Sequence, residues 1–215
     1  MELAVRTGAW SPNGGNMGNL IDIINGVDTS GVLVDRLITN LSQKLFKNGS
    51  INVQHVTLEN CETLSIANCF YSSDLIDINL PALRTIKNSQ QFQRSTRLKT
   101  VDLGLCERIE DINWMFFFCN RLEKVYARNV NYINNQAANT FAECNSLTDV
   151  YFDSLQSSYV LGTNLVAVNG SHFAPHTIVF HCADGDVVYD NALGAWKLVR
   201  AVSQLGVQDL NTKNT

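Results

Sequence analysis

Proline is almost missing from this chain, with three residues among 215, and charge is scarce as well. With 45% apolar and 17% charged residues, the composition is that of a folded, soluble protein able to bury a substantial core, as one domain or two small ones. A net charge of −4 offers no basic footprint for nucleic acid or an anionic membrane. No apolar run reaches the roughly 18 residues of a membrane span. The opening MELAVRTGAWSPNGG lacks the basic start and apolar block of a secretion signal. Display on a virion or cell surface would then need another route.

Chemistry-bearing patterns are equally sparse. There is no C-x-x-C, no G-x-S-x-G, no phosphate-cradling glycine loop and no repeated histidine–carboxylate grouping. Neither catalysis nor a cofactor is expected. His172, His176 and His181 with Cys182 are the right residue types for a metal. However, Pro175 interrupts any helix joining the first two, and His181 and Cys182, adjacent in a strand, face opposite sides. No metal site is expected. The short run Asp184 to Asp186 is too brief for a calcium loop and reads as a turn between strands.

What the chain does have is a sentence written twice. FFFCNRLEKVYA, Phe116 to Ala127, and FAECNSLTDVYF, Phe141 to Phe152, share one frame: Phe, two residues, Cys-Asn, one residue, Leu, two residues, Val-Tyr. The core frame, apolar-x-x-apolar-x-apolar, starts at Val53, Leu75, Leu98, Leu122 and Leu147, at separations of 22, 23, 24 and 25 residues. A further apolar position follows each of the first four frames at Cys61, Leu83, Cys106 and Val130, and another at Leu64, Ile86, Ile109 and Ile133. Six residues before the next frame stand Cys69, Phe92, Phe116 and Phe141.

A unit of this length cannot bury its apolar side alone, so the units must stack. The frame ends in alternation of period two, one side chain inward and the next toward solvent, which is a short strand. Stacked strands make a parallel sheet on one face, with the phenylalanines forming a ladder on the return side. The expected architecture is an α/β solenoid.

The repeated frames, with looser copies from Phe92 (Ser95 in the cysteine position) and from Cys69, resemble the BspA-like leucine-rich repeats of bacterial surface proteins, some protozoa and bacteriophages. The resemblance covers roughly residues 50 to 155. It implies a leucine-rich-repeat array and a binding or adhesive surface in place of a reaction. The late stretch from His176 to Asp190 is similar to the closing segment that ends such arrays.

Cys119 and Cys144 then share one rung of successive units, and Cys61 and Cys106 share a rung that Leu83 and Val130 fill elsewhere. These cysteines read as small buried hydrophobes, with no need for sulfur chemistry. Upstream, Asp28-Thr29-Ser30 supplies capping residues before Leu33, Leu37, Leu41 and Leu45, whose four-residue spacing predicts an amphipathic helix ending near Gly49. The expected organisation is a loop and helix over 1–50 that caps or anchors the array, repeats over 51–155, and a repeat remnant and cap over 156–215.

If the chain binds, the outward positions of the strands are the candidates: His55 and Thr57, Asp77 and Asn79, Thr100 and Asp102, Lys124 and Tyr126, Asp149 and Tyr151. Tyr126 and Tyr151 should be neighbours across adjacent strands about 4.8 Å apart, flanked by carboxylates and amides that suit protein contacts or stacking on sugar rings. The function expected is a non-catalytic recognition module that binds a protein or a glycan through Asp77, Asn79, Asp102, Lys124, Tyr126, Asp149 and Tyr151. The alternative is a structural subunit of a larger particle such as a phage fibre, as a homo-oligomer or docked through its N-terminal segment. The lack of a secretion signal leans toward the latter.

Overall fold

The computed structural model describes residues 32–36, 38–41, 53–134, 139–162, 165 and 175–200. Along them, longer strands alternate with strands of two residues. In order they are β1 (Val32–Asp35), β2 (Asn40–Leu41), β3 (His55–Leu58), β4 (Thr63–Leu64), β5 (Asp77–Asn79), β6 (Thr85–Ile86), β7 (Thr100–Asp102), β8 (Arg108–Ile109), β9 (Lys124–Tyr126), β10 (Tyr132–Ile133) and β11 (Asp149–Phe152). A single turn-and-a-half of helix, α1 (Ser157–Gly162), follows, then β12 (Val179–Cys182), β13 (Gly185–Asp190) and β14 (Ala195–Val199).

The result is a mostly-β parallel solenoid of about five turns. The longer strands line up as a nine-stranded sheet in the order β1-β3-β5-β7-β9-β11-β12-β13-β14, parallel as far as β12 and antiparallel beyond. The two-residue strands form a second parallel sheet, β10-β8-β6-β4-β2. Among the described residues helix is confined to α1, so the return segments are turns and short strands where an α/β array was expected. No helix of the described residues is long and apolar enough to cross a membrane.

Each face of the coil is a column of equivalent residues. Leu33, Val56, Ile78, Val101, Val125, Val150 and Phe180 are the buried middle rungs of the large sheet. Leu41, Leu64, Ile86, Ile109 and Ile133 do the same for the small one. At the corner between them Cys61, Leu83, Cys106, Val130 and Leu155 each donate their amide to the carbonyl three residues back, at 2.9–3.3 Å. Leu155 therefore continues this column for the last repeat. Period-two burial on each strand and the loss of apolar area at every rung are what hold the coils in register.

The phenylalanine ladder runs Phe70, Phe92, Phe116, Phe141, with centroids 5.3, 5.4 and 5.5 Å apart and planes within 7° of parallel. Its first rung is Phe70, one place beyond the expected Cys69, because the first return turn is a residue shorter. The amide of Phe70 donates to the Gln91 carbonyl just as that of Phe92 donates to Met115, both at 2.9 Å. Two left-handed residues bracket each return: Asn68, Gln90, Trp114 and Asn139 at one side, Ser72, Arg94, Phe118 and Glu143 at the other, with φ between 51° and 64°. None is glycine, so the packed coils outweigh a local conformational cost of about 1 kcal/mol at each.

The helix expected across Leu33 to Leu45 is replaced, where the chain is described, by β1 and β2. The reason is a coincidence of spacing. Leu33 and Leu41 lie eight residues apart, which is two helical steps of four, but also the distance from Val56 to Leu64, Ile78 to Ile86, Val101 to Ile109 and Val125 to Ile133. Pairing of Val32–Asp35 with His55–Leu58 puts Leu33 on the Val56 rung. The first coil thus begins inside the segment assigned to the N-terminal cap. Leu37, Leu45 and the remainder of 1–31 and 42–52 lie outside the described residues, as does His172.

At the other end the hairpin β12–β13 turns through Ala183 and Asp184, overlapping the expected turn over Asp184 to Asp186 only at Asp184, because Gly185 and Asp186 already belong to β13. Asp184 reaches back to α1. Its two oxygens accept the amide and the hydroxyl of Ser157, each at 2.7 Å. Burial opposes ionisation of this carboxyl, but those two hydrogen bonds outweigh it and hold the group below the usual carboxylate range.

Candidate functional site

The cysteines come first, because a repeated cysteine could have been a reactive or metal-binding group. All six thiols are free, five are buried and Cys182 is half-buried. Cys119 Sγ lies 3.0 Å from the Phe92 carbonyl oxygen and Cys144 Sγ 2.9 Å from that of Phe116, each bond reaching back one coil. Ser95 occupies the same rung and donates to Phe70 O at 2.6 Å, and Ser73 contacts Ser95 Oγ at 3.0 Å. The rung is therefore a column of small hydrogen-bond donors under the aromatic ladder, more than a set of plain hydrophobes. Burial pushes the Cys119 and Cys106 thiols up to about 12 and Cys144 well up, so they remain protonated donors and poor nucleophiles at neutral pH. Among the described residues no group of three or more His, Cys, Asp or Glu is placed to hold a metal.

The outward side of the large sheet gathers the sequence-predicted positions into two rows. The first runs His55, Asp77, Thr100, Lys124, Asp149, Val179, and the second Thr57, Asn79, Asp102, Tyr126, Tyr151, His181, each residue in direct register with the next. Asp77, Asn79, Asp102, Lys124, Tyr126, Asp149 and Tyr151 thus share one face, half-buried or exposed.

Charges on this face are matched across coils. His55 Nδ1 lies 2.6 Å from Asp77 Oδ2, Lys124 Nζ 3.7 Å from Asp149 Oδ2, and Arg128 donates to Asp153 at 2.7 Å. Tyr126 and Tyr151 stack at 5.0 Å with planes 15° apart, and His181 adds a third ring 4.5 Å from Tyr151. The Arg128 guanidinium sits 5.1 Å from the Tyr126 centroid and 4.8 Å from that of Tyr151. Being nearly equidistant from two parallel rings, it lies beside the stack and over neither outer face. The His181 nitrogens face Asp186 Oδ1 at 3.0 Å and Asp149 Oδ1 at 3.1 Å. Its ring and the Thr148 hydroxyl, at 2.8 Å, hold the Asp149 carboxyl below its usual range.

This geometry corrects one expectation. Tyr151, half-buried, is sandwiched between Tyr126 and His181, so both its faces are covered and it cannot stack on a sugar. Sequence reasoning also missed His181, Arg128 and Asp153 as neighbours of the tyrosines. Arg128 and Asp153 stand 25 residues apart, the local repeat length, and could have been found by extending the register two positions.

No protein-family model, curated protein or solved structure matches this chain.

Proposed function

We propose that this chain is a non-catalytic recognition module that binds a protein or glycan partner through the outward face of its large sheet, and that its repeats are leucine-rich repeats of the BspA-like type. The observation that carries the binding reading is the row Asp102–Tyr126–Tyr151–His181, a line of polar and aromatic side chains on a surface whose apolar needs are already met inside the coil. Tyrosine and arginine dominate energetic hot spots at protein interfaces. A ladder fixed by stacking and ion pairs presents them with little rotamer entropy left to lose. With both Tyr151 faces covered, ring stacking on a glycan is confined to the outer face of Tyr126, which favours a protein partner.

The test is a parallel screen of a displayed peptide library and a glycan array with the native chain and with Tyr126→Ser/Tyr151→Ser. Ligands lost by the variant, at retained circular dichroism, support the reading. Ligands bound equally by both would move the binding surface off this face.

A further inference from the structure

The outward face is not uniform. Over β5 and β7 its side chains are short, with Asn79 and Asp102 exposed, while β9 raises Lys124 and Tyr126 beside them, with Arg128 just beyond the strand. Both nearby cations are drawn away from this step, Lys124 of β9 toward Asp149 and Arg128, two residues past the strand, toward Asp153. Tyr151 covers one face of Tyr126. The other face is turned to the Asp102 side of the step, since Asp102 is its register neighbour, about 4.8 Å away across the strands.

Among the outward carboxylates, Glu59 pairs with Arg36, Asp77 with His55, Asp149 with Lys124 and His181, Asp153 with Arg128 and Asp186 with His181. Asp102 has no cationic partner among the described residues. Its side chain is nonetheless fixed, because Oδ1 accepts the Gly104 amide at 2.8 Å. Gly104 in turn cannot shift or be replaced cheaply: φ is +54° and a Cβ there would stand 2.3 Å from the Leu80 carbonyl oxygen. A pre-oriented, unmatched carboxylate thus borders an aromatic face.

We infer that this step receives a cationic side chain of a protein partner, an arginine or lysine that lies on the free face of Tyr126 and pairs with Asp102. The inference rests on the recognition reading above and names the chemistry of its partner. A guanidinium satisfies both halves, stacking flat on the ring while its edge donates to the carboxylate. The negative net charge of the chain, −4, assists the encounter.

The experiment is an NMR titration of the full chain with the amidated peptide acetyl-Gly-Arg-Gly, its citrulline analogue, and a neutral glucose oligosaccharide. The reporters are the Gly104 amide and the Tyr126 ring. The arginine peptide should shift both reporters and bind at least about tenfold more tightly than the citrulline peptide, with an affinity that falls as salt rises. Asp102→Asn should abolish that preference while leaving the fold intact, since the amide oxygen still accepts from Gly104. Equal binding of both peptides, or no perturbation at Gly104 and Tyr126, would overturn the inference. Shifts confined to Tyr151 and His181 with the oligosaccharide would also overturn it, while keeping the face as a recognition surface.

Discussion

Replacing Cys119 separates two accounts of the repeated cysteine. Its side chain is fully buried, and its thiol points at the Phe92 carbonyl 3.0 Å away. Cys119→Ala removes a group about the size of a methylene, roughly 0.8 kcal/mol of transfer free energy. A residual cavity of about 25 Å³ would add about 0.6 kcal/mol, and the lost weak hydrogen bond about 0.5 kcal/mol. The Phe92 carbonyl is not orphaned, because it also accepts the Ser95 amide at 3.0 Å, so no larger desolvation penalty follows. The expected loss is about 2 kcal/mol. Cys119→Ser is smaller and more polar than the native residue, which in an apolar core would cost more than alanine. Here the rung supplies an acceptor, and Ser95 already uses the equivalent one at 2.6 Å. Serine should therefore cost less than alanine, about 1 kcal/mol or below. Urea unfolding of both variants, compared at equal m-value, gives the order directly. If serine proves more destabilising than alanine, the rung is an apolar packing position and the donor column is an accident of geometry.

Other perturbations follow from the same coils. Gly104→Ala would force a Cβ to 2.3 Å from Leu80 O and 2.9 Å from Pro81 O at a positive φ, so it should lose about 3 kcal/mol or more in urea unfolding. A thiol reagent applied to the folded chain should leave the five buried cysteines unmodified, with all six reacting only in denaturant; fast labelling of Cys119 or Cys144 would contradict their burial. The Asp149 and Asp184 carboxyls are depressed in the folded chain. Their contribution is present above the unfolded value near 4 and is lost as pH falls through the folded values. Urea midpoints should drop below about pH 4, and Asp149→Asn/Asp184→Asn should flatten that drop. Deleting residues 1–50 should strip β1 and β2 and expose Val56 and Leu64, giving aggregation in light scattering where a dispensable tether would leave a stable monomer.

The solenoid was legible because every coil repeats the same physical demand. Five frames agreeing at the inward positions, four of them followed by a corner residue and three preceded by phenylalanine, made the stack of strands and the outward row readable from the residues alone. The drift of the period hid the ends. Between β11 and β12 the step from Val150 to Phe180 is 30 residues, against 25 from Val125 to Val150, because α1 and the residues after it intervene. In the sequence His181 therefore stands only as a metal-ligand candidate alongside His172, His176 and Cys182, not as the next member of the tyrosine row. At the N-terminus the eight-residue interval from Leu33 to Leu41 fits a helix and a strand pair equally well, and only pairing partners decide between them.

The repeated cysteines are explained by the columns they occupy. A period fixes which residues share an environment, and substitution within the column reveals what that environment requires. Leucine and valine at the Cys61 column say that volume suffices there. Serine at the Cys119 column says something different: Ser73 and Ser95 are buried, and a hydroxyl is tolerated inside only where an acceptor waits. Ser95, Cys119 and Cys144 thus each send a hydrogen bond to the coil before, with Ser73 meeting the Ser95 hydroxyl at the column's start, beside rings whose stacking is worth about 0.5–1.5 kcal/mol per contact. The outward row lacks this kind of internal check. Its residues change identity from coil to coil, from asparagine through aspartate to tyrosine and histidine, as a surface does when no packing demand fixes it. That variability is why its register could be read from the repeat while its partner chemistry had to be sought in which charges the neighbouring coils leave unmatched.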